Sequence, residues 1–161
     1  MKSVHAHCTF LDTDMLARMV DKCSAVAHCP LSNSYFSERP FPLREALDMG
    51  VPVGLGSDIA GGYSIDIMDS MRHAVAVSRV RDGARKISDS SRNGNDRKSL
   101  AIDWKEALYL ATRGGAIALR LSSGVFRVGA PFDAQCGESN SCLNGVCISE
   151  WRMCCSRSVQ G

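Results

Sequence analysis

The chain has 161 residues, of which 45% are hydrophobic and 22% are charged, and its formal net charge is +2. That length allows one domain with a buried core, and the near balance of charge argues against a nucleic-acid-binding surface. No run of about 18 apolar residues is present, and the first residues lack the apolar stretch of a secretory signal. The sequence therefore predicts a soluble cytoplasmic protein without nucleic-acid or membrane partners.

Short apolar strands alternate with amphipathic helices through the first half of the chain. Asp12 and Asp103 each precede a helical pattern and are predicted N-caps. The predicted strands are residues 2–7, 24–28 and 51–56. The predicted helices are residues 12–22, 43–49, 65–80 and 104–121, with loops over 29–42 and 57–64. This alternation is typical of α/β proteins with βαβ units and a parallel sheet that is buried on both faces.

The predicted domain organisation has four parts. Residues 1–81 hold the strands and their helices, and the polar residues 82–98 are predicted to be a flexible insertion. Residues 99–135 form a second segment. Residues 136–161 carry five of the eight cysteines without any C-x-x-C spacing, so metal binding there lacks its usual motif and an irregular tail is expected.

Two features of residues 99–135 bear on packing. The last predicted helix contains Gly114 and Gly115, which weaken a straight helix but permit close approach to a neighbouring element. Residues 124–134 are predicted to form turns between short strands.

Asp58 follows the third predicted strand and precedes an Ala-Gly-Gly sequence. A carboxylate at that position can bind a metal and accept a proton from a metal-activated water. Two plainer alternatives are an N-cap for the helix that begins near Ile65 and an ordinary turn aspartate. The residue pattern by itself leaves all three open.

Histidines occur near two of the predicted strand ends. His5 and His7 are two residues apart on a strand and would face the same side, as a shared metal requires, although one functional and one incidental histidine is the favoured alternative. His28 is predicted to be buried, ordering a loop or lying near substrate. His73 is predicted to be a surface or packing residue. Because the carboxyl ends of parallel strands carry the chemistry of (β/α)₈ barrels, His7, His28 and Asp58 are expected at one edge of the sheet.

Four segments within residues 2–134 occur in an order and spacing that resemble a known family. They are HAHCTFLDTDMLARMVDKCSAVAHCPLSN, GVPVGLGSDIAGGYSIDIMDSMRHA, WKEALYLATRGGAIALRL and GVFRVGAPFDA. Together they resemble the metal-dependent amidohydrolase superfamily, and the AGGYS after Asp58 is similar to its guanine deaminases. The resemblance implies the C-terminal part of a (β/α)₈ barrel, from the sixth strand to the eighth, followed by a helix and the start of a small flanking β domain.

The resemblance also implies an activity, which is hydrolytic deamination of guanine to xanthine and ammonia at a Zn²⁺ ion. By motif match, Asp58 is a zinc ligand that also contacts the substrate and carries a proton. His7 is the matching catalytic histidine, which polarises the attacking water and steadies the tetrahedral intermediate, whereas His5 has no matching role. The implied partner is a small purine, and the full-length parent protein is expected to be a homo-oligomer.

The chain departs from this family in its ligand set. No H-x-H of a first barrel strand precedes the matching segments, and no H-x-x-E occurs. Because a catalytic zinc needs about three protein ligands, the expectation is a C-terminal fragment that is inactive alone or depends on a complementing fragment. Two alternatives are a non-catalytic pseudo-enzyme that associates with full-length subunits and an aminohydrolase for another purine or a triazine. A frameshift, a retained intron or a fragmentary gene model is the expected origin of residues 136–161.

Overall fold

The computed structural model describes residues 3–59, 61–89 and 98–131. Its strands are β1 (Val4–Ala6), β2 (Ala25–His28) and β3 (Val53–Leu55). Its helices are α1 (Thr13–Asp21), α2 (Pro30–Phe36), α3 (Leu43–Asp48), α4 (Ile67–Asp89), α5 (Trp104–Tyr109) and α6 (Gly115–Leu119), with a π-helical turn (Leu110–Gly114) between the last two. The chain divides into two compact units, residues 1–122 and 123–161, and all of these elements lie in the first.

The strands form one parallel sheet in the order β1-β2-β3. Val26 in the central strand pairs with His5 of β1 on one side and with Val53 of β3 on the other. Helices connect each strand to the next, so these are the βαβ units predicted from the alternating pattern, and the α/β class is confirmed. The carboxyl ends of all three strands lie at one edge of the sheet.

Apolar side chains from the sheet and the helices form the main core. Val26, Ala46 and Ala107 are fully buried in it. β1 differs from the prediction, because its three residues are exposed rather than buried on both faces. Within the described part of the chain β1 pairs only with β2, and an edge strand of this kind has one open side.

Both predicted N-caps are confirmed. The Asp12 carboxylate accepts a hydrogen bond of 2.8 Å from the backbone N–H of Met15, in the first turn of α1. Asp103 accepts a 2.9 Å bond from the backbone N–H of Glu106, and the Glu106 carboxylate accepts a 3.0 Å bond from the Asp103 N–H. The second arrangement is a capping box, which satisfies two donors that a helix start leaves unpaired.

The predicted loop over residues 29–42 is wrong in its first half, where α2 spans Pro30–Phe36. Pro30 is at the start of this helix, where a proline is well suited because that position makes no use of a backbone N–H and needs a fixed φ. Counting prolines as loop formers therefore concealed a helix that begins directly after β2.

The predicted flexible insertion over residues 82–98 is also wrong at its start, because α4 continues to Asp89. The Asp82 carboxylate pairs with Arg85 at 3.0 Å and with Lys86 at 2.7 Å, three and four residues along the same helix, and accepts a 2.8 Å bond from the Leu100 N–H. Lys86 and this N–H hold the pKa of Asp82 well below its usual range. The polar composition therefore reflects ion pairs along a helix, while residues 90–97 lie outside the described residues.

The predicted helix over residues 104–121 is present as α5, the π-helical turn and α6, and it packs on β3. A Cβ placed on Gly114 would lie 2.6 Å from the Val53 carbonyl oxygen, and one placed on Gly54 would lie 2.7 Å from the Gly115 Cα. Real Cβ atoms do not come this close to other atoms. The close packing predicted for the paired glycines is thus confirmed.

The second unit is described over residues 123–131. It contains a turn closed by a 3.0 Å bond from the Ala130 N–H to the Arg127 carbonyl, with Gly129 at a φ of 80°. Residues 123–131 contain no strand, so the predicted short strands over 124–134 are wrong there. The predicted irregular tail over residues 136–161 lies outside the described residues. No helix in the described ranges is both long and apolar enough to span a membrane.

Candidate active site

His7 lies directly after β1, where the backbone changes direction. Its N–H donates a 3.0 Å bond to the Ala27 carbonyl, which extends the parallel ladder by one residue. The backbone then turns left-handed at His7 and at Cys8, with φ values of 64° and 56°. Non-glycine residues seldom adopt this conformation, and such strain is concentrated at functional sites.

The left-handed turn separates His7 from His5. His7 Nδ1 lies 2.9 Å from Asn33 Oδ1 in α2, whereas His5 Nε2 lies 2.7 Å from the hydroxyl of Ser3. The alternative in which both imidazoles face one metal is therefore wrong, because strand alternation ends before His7. The alternative of one functional and one incidental histidine fits the structure.

Asp58 follows β3 in a turn of its own, again with a left-handed backbone at a φ of 54°. A Cβ on Gly61 would collide with the Asp58 carboxylate, so glycine at that position leaves the space that the carboxylate occupies. The proposed N-cap role for Asp58 is wrong, because Asp66 performs it by accepting a 2.9 Å bond from the Met68 N–H at the start of α4.

The side chains of His7 and Asp58 meet at the carboxyl edge of the sheet. His7 Nε2 lies 3.8 Å from Asp58 Oδ2, and the two side chains are 42% and 38% exposed. That distance is too long for a direct hydrogen bond, whereas one small atom about 2.8 Å from each of them would bridge the gap. The pair can therefore hold a water or a cation between them.

A cavity of about 600 Å³ opens at this pair. Its lining includes the aromatic rings of Phe10 and Phe36 and the polar side chains of Ser32 and Asn33. A volume of this order, with aromatic walls and a few convergent polar groups, is usual for small-molecule sites. A cavity of this volume is large enough to hold a small heterocycle.

His28, at the end of β2, contacts Asn33 of the cavity lining but is not itself among the residues that line the cavity. It is only 3% exposed, and its Nδ1 lies 3.3 Å from Asn33 Nδ2. Burial, and then electrostatic repulsion between protonated His28 and His73, His7 and Arg81, lower the pKa of His28 to about 3. The prediction of a buried histidine is confirmed, and its side-chain partner lies in α2.

The sequence matches the Amidohydrolase family over residues 1–138. The chain belongs to the amidohydrolase family. Its parallel sheet, with left-handed residues His7 after β1 and Asp58 after β3, therefore belongs to an amidohydrolase α/β fold.

Guanine deaminases are among the proteins that this amidohydrolase is similar to. A probable guanine deaminase of Schizosaccharomyces pombe is 32% identical over 163 residues, and the match covers 93% of this chain and 29% of the relative. The guanine deaminase of Mus musculus is 39% identical over 135 residues, with 83% and 27% covered. The resemblance to guanine deaminases is thus confirmed, and the chain spans less than a third of these relatives.

Solved structures are also similar to this chain, and a guanine deaminase is among them. A guanine deaminase from C. acetobutylicum, with guanine bound in its active site, superposes with a TM-score of 0.63 at 27% identity, covering 78% of this amidohydrolase and 27% of that chain. A variant of atrazine chlorohydrolase from Arthrobacter aurescens TC1, complexed with zinc and atraton, superposes with a TM-score of 0.65 at 25% identity, covering 79% and 26%.

The fit of the residues around His7 and Asp58 to a metal ion is partial. Over residues 3–59, 61–89 and 98–131, no three His, Cys, Asp or Glu side chains are grouped as a metal site. Asp58 offers a partly exposed carboxylate beside the His7 imidazole. A catalytic zinc needs about three protein ligands, so these residues fit one side of a zinc site and do not form it alone.

Sequence reasoning missed Asn33, which connects the two histidines of this amidohydrolase. The sequence predicts a loop at this position, whereas α2 places Asn33 in the first turn of a helix that starts at the end of β2. Pro30 is the signal that would have identified Asn33. A helix that begins at Pro30, directly after β2, places its first turn beside the ends of the strands. His73 agrees with its prediction, since it is half-buried in α4 with Nε2 2.9 Å from the Ser34 hydroxyl.

Proposed function

We propose that this chain forms part of the active site of a guanine deaminase, which hydrolyses guanine to xanthine and ammonia. The observation that carries the proposal is the His7–Asp58 pair, 3.8 Å apart at the carboxyl edge of a parallel sheet and open to a cavity of about 600 Å³, which is large enough to admit a purine. Similarity to guanine deaminases over more than four-fifths of the chain supports guanine as the substrate.

The same proposal extends to the fold. The three parallel strands would be the sixth to eighth strands of a (β/α)₈ barrel, with α5 and α6 following it and residues beyond 122 entering a small β domain. The consecutive strand order and the position of the pair at the carboxyl ends of the strands support this arrangement. In this proposal, another polypeptide segment would cover the open side of β1.

Asp58 and His7 would act on the water that attacks guanine. His7 Nε2 orients the water, and the Asp58 carboxylate takes one of its protons as the oxygen bonds to the carbon that carries the amino group. Asp58 then passes this proton to the amino nitrogen as the carbon–nitrogen bond breaks, and ammonia leaves. The second proton of the water stays on the product, which is xanthine.

Zinc is the proposed cofactor, with Asp58 as one of its ligands. When bound, it would act as a Lewis acid that lowers the pKa of a water to about 7. Because the described residues supply one side of such a site, we expect the remaining ligands to come from a complementing segment. We therefore expect the chain to be inactive alone, and homo-oligomerisation and a cytoplasmic location stay predictions.

A chimera tests the proposal. Residues 2–134 replace the matching segment of the mouse guanine deaminase, and formation of xanthine from guanine is followed together with zinc content. We expect a folded, zinc-containing chimera to deaminate guanine and the chain by itself to show no turnover. A folded, zinc-loaded chimera that leaves guanine intact would contradict the function, and zinc-dependent turnover by the chain alone would contradict its dependence on other ligands.

A second candidate is hydrolysis of another purine or of a triazine. The structural similarity to a triazine-binding chlorohydrolase favours testing it. The same chimera assayed with guanine, adenosine and a chlorotriazine separates the two candidates, because each predicts a different preferred substrate. A chimera that folds and binds zinc but converts none of these substrates would instead support the pseudo-enzyme alternative.

A further inference from the structure

Asn33 lies between two histidines and has a polar contact with each of them. Its Oδ1 is 2.9 Å from His7 Nδ1, and its Nδ2 is 3.3 Å from His28 Nδ1. A carboxamide has one accepting end and one donating end, whereas each ring nitrogen of a neutral histidine has only one of these roles. The roles of the three side chains are therefore linked.

His28, the buried member of these three residues, determines which groups donate and which accept. His28 is 3% exposed, and burial disfavours its charged form, so that it carries a single ring proton. With the donating Nδ2 of Asn33 facing it, His28 Nδ1 accepts and its proton lies on Nε2. This leaves the Asn33 Oδ1 as an acceptor facing the cavity side.

We propose that Asn33 is a positioning residue that holds His7 as the tautomer with its proton on Nδ1, and that His28 orients the Asn33 carboxamide for this task. In this tautomer His7 Nε2 is a bare acceptor that faces Asp58 across the 3.8 Å gap. Asn33 itself contacts no reacting atom in this assignment, because it acts through His7.

The 3.8 Å distance between His7 Nε2 and Asp58 Oδ2 supports a His7 proton on Nδ1 rather than on Nε2. If the carboxamide were turned around, His7 would carry its proton on Nε2 and point it at the Asp58 carboxylate. Such charge-assisted pairs close to about 2.7–2.9 Å. The observed 3.8 Å between Nε2 and Oδ2 instead suits two acceptors separated by a bridging donor or cation.

For catalysis, which rests on the proposed function, the consequence concerns the attacking water. A water with both of its protons can donate one to His7 Nε2 and the other to Asp58, and the two acceptors then fix its orientation. The buried residues Asn33 and His28 would thus determine, through His7, the orientation of the attacking water.

Nitrogen-15 NMR of the labelled, metal-free chain at pH 7 tests the tautomer directly, without any need for activity. Two-bond ¹⁵N–¹H correlation spectra separate protonated from bare ring nitrogens, and His7→Gln assigns the His7 signals among four histidines. We expect a protonated Nδ1 and bare Nε2 for His7, and the opposite for His28. A His7 proton on Nε2, or an even mixture, would overturn the proposal.

Variants test whether Asn33 is the cause. Asn33→Leu should give averaged His7 nitrogen shifts, whereas Asn33→Asp, which still accepts from His7, should retain the Nδ1 proton. Ser34→Ala, in the same helix, is the control and should leave the His7 spectrum unchanged. An unaltered His7 tautomer in a folded Asn33→Leu chain would refute the positioning role.

In the active chimera, Asn33→Leu should lower kcat about 10- to 100-fold, as loss of an outer-shell partner does, with little change in KM. A lowered kcat that Asn33→Asp restores supports positioning, and an unchanged kcat refutes it. If the chimera has no activity but the tautomer is as expected, the proposed function fails and the tautomer assignment stands. If the chimera is active but the His7 tautomer is not the expected one, only the tautomer assignment is rejected.

Discussion

Gly54 of β3 and Gly115 of α6 meet backbone against backbone. A Cβ on Gly54 would lie 2.7 Å from the Gly115 Cα, and the neighbouring Gly114 packs in the same way against the Val53 carbonyl. Because this contact lies on the strand that leads into Asp58, it also fixes the position of the candidate catalytic loop. The helix after the strands therefore belongs to the architecture that supports the site.

Gly54→Ala should destabilise the fold by about 1–3 kcal/mol, since backbone atoms rather than a flexible side chain would have to move to make room. Urea unfolding followed by circular dichroism measures the change in the free energy of unfolding. Gly83→Ala is the matched control, because a Cβ there meets no atom within 4 Å.

Gly83 lies inside α4, so its replacement by alanine should be neutral or should stabilise by roughly 0.5–1 kcal/mol, because alanine restricts the unfolded chain. Equal stability of the Gly54→Ala variant and the native chain would show that β3 and α6 are not held together as closely as the structure indicates.

The capping box at the start of α5 gives a second prediction. Asp103→Ala removes the acceptor for the Glu106 N–H, and we expect a loss of about 1 kcal/mol in the free energy of unfolding. Asp103→Asn keeps a side-chain acceptor at the N-cap and should lose much less. The same urea titration compares them, and a loss of equal size in both variants would assign the effect to charge rather than to the cap.

A third prediction concerns the proton that Asp58 is proposed to carry. Asp58→Asn in the guanine-converting chimera keeps the shape of the side chain but cannot accept a proton, so kcat should fall about 10²- to 10⁴-fold. Zinc content measured on the same samples distinguishes loss of metal from loss of proton transfer. Asp69→Asn is the control, since Asp69 pairs only with the exposed Arg72 in α4 among its described contacts.

Retention of most of the activity by Asp58→Asn with full zinc content would remove Asp58 from the proton transfer. Loss of both zinc and activity would support Asp58 as a zinc ligand. The proton transfer would then be tested by adding a small carboxylate to the variant and measuring whether activity returns.

The sequence was sufficient to place Asp58 and His7 at one edge of the sheet, because parallel strands joined by helices bring their carboxyl ends together. It was also sufficient for the N-caps at Asp12 and Asp103, which are local hydrogen bonds between residues close in sequence. The first prediction rests on the connection rules of βαβ units, and the second rests on hydrogen bonds between residues close in sequence.

Features that depend on distant partners could not be predicted. The helical conformation of residues 82–89 is supported by the bond of Asp82 to the Leu100 N–H, which requires a segment 18 residues away. His7 does not share the side of His5, because its left-handed backbone breaks the strand alternation. Asn33 became a site residue only when α2 placed it between His7 and His28.

His28 gives a prediction on the pH dependence of stability. An unfolded histidine takes up a proton near pH 6.5, whereas burial lowers the pKa of His28 in the folded chain to about 3. Between these values the unfolded state binds more protons, so the free energy of unfolding falls as the pH falls, by up to about 1.4 kcal/mol per pH unit. Above about pH 6.5 this loss of stability is absent, and the free energy of unfolding has its full value with respect to His28.

Urea unfolding between pH 5 and pH 7 measures this slope in a range where most carboxylates remain ionised in both states. His28→Gln is the comparison, because glutamine can accept the hydrogen bond of Asn33 but does not titrate. The other three histidines are common to both proteins, so the difference between the two slopes isolates His28. We expect the native chain to lose stability more steeply below pH 6.5 than the variant, and identical slopes would show that His28 is protonated as readily in the folded chain as in the unfolded one.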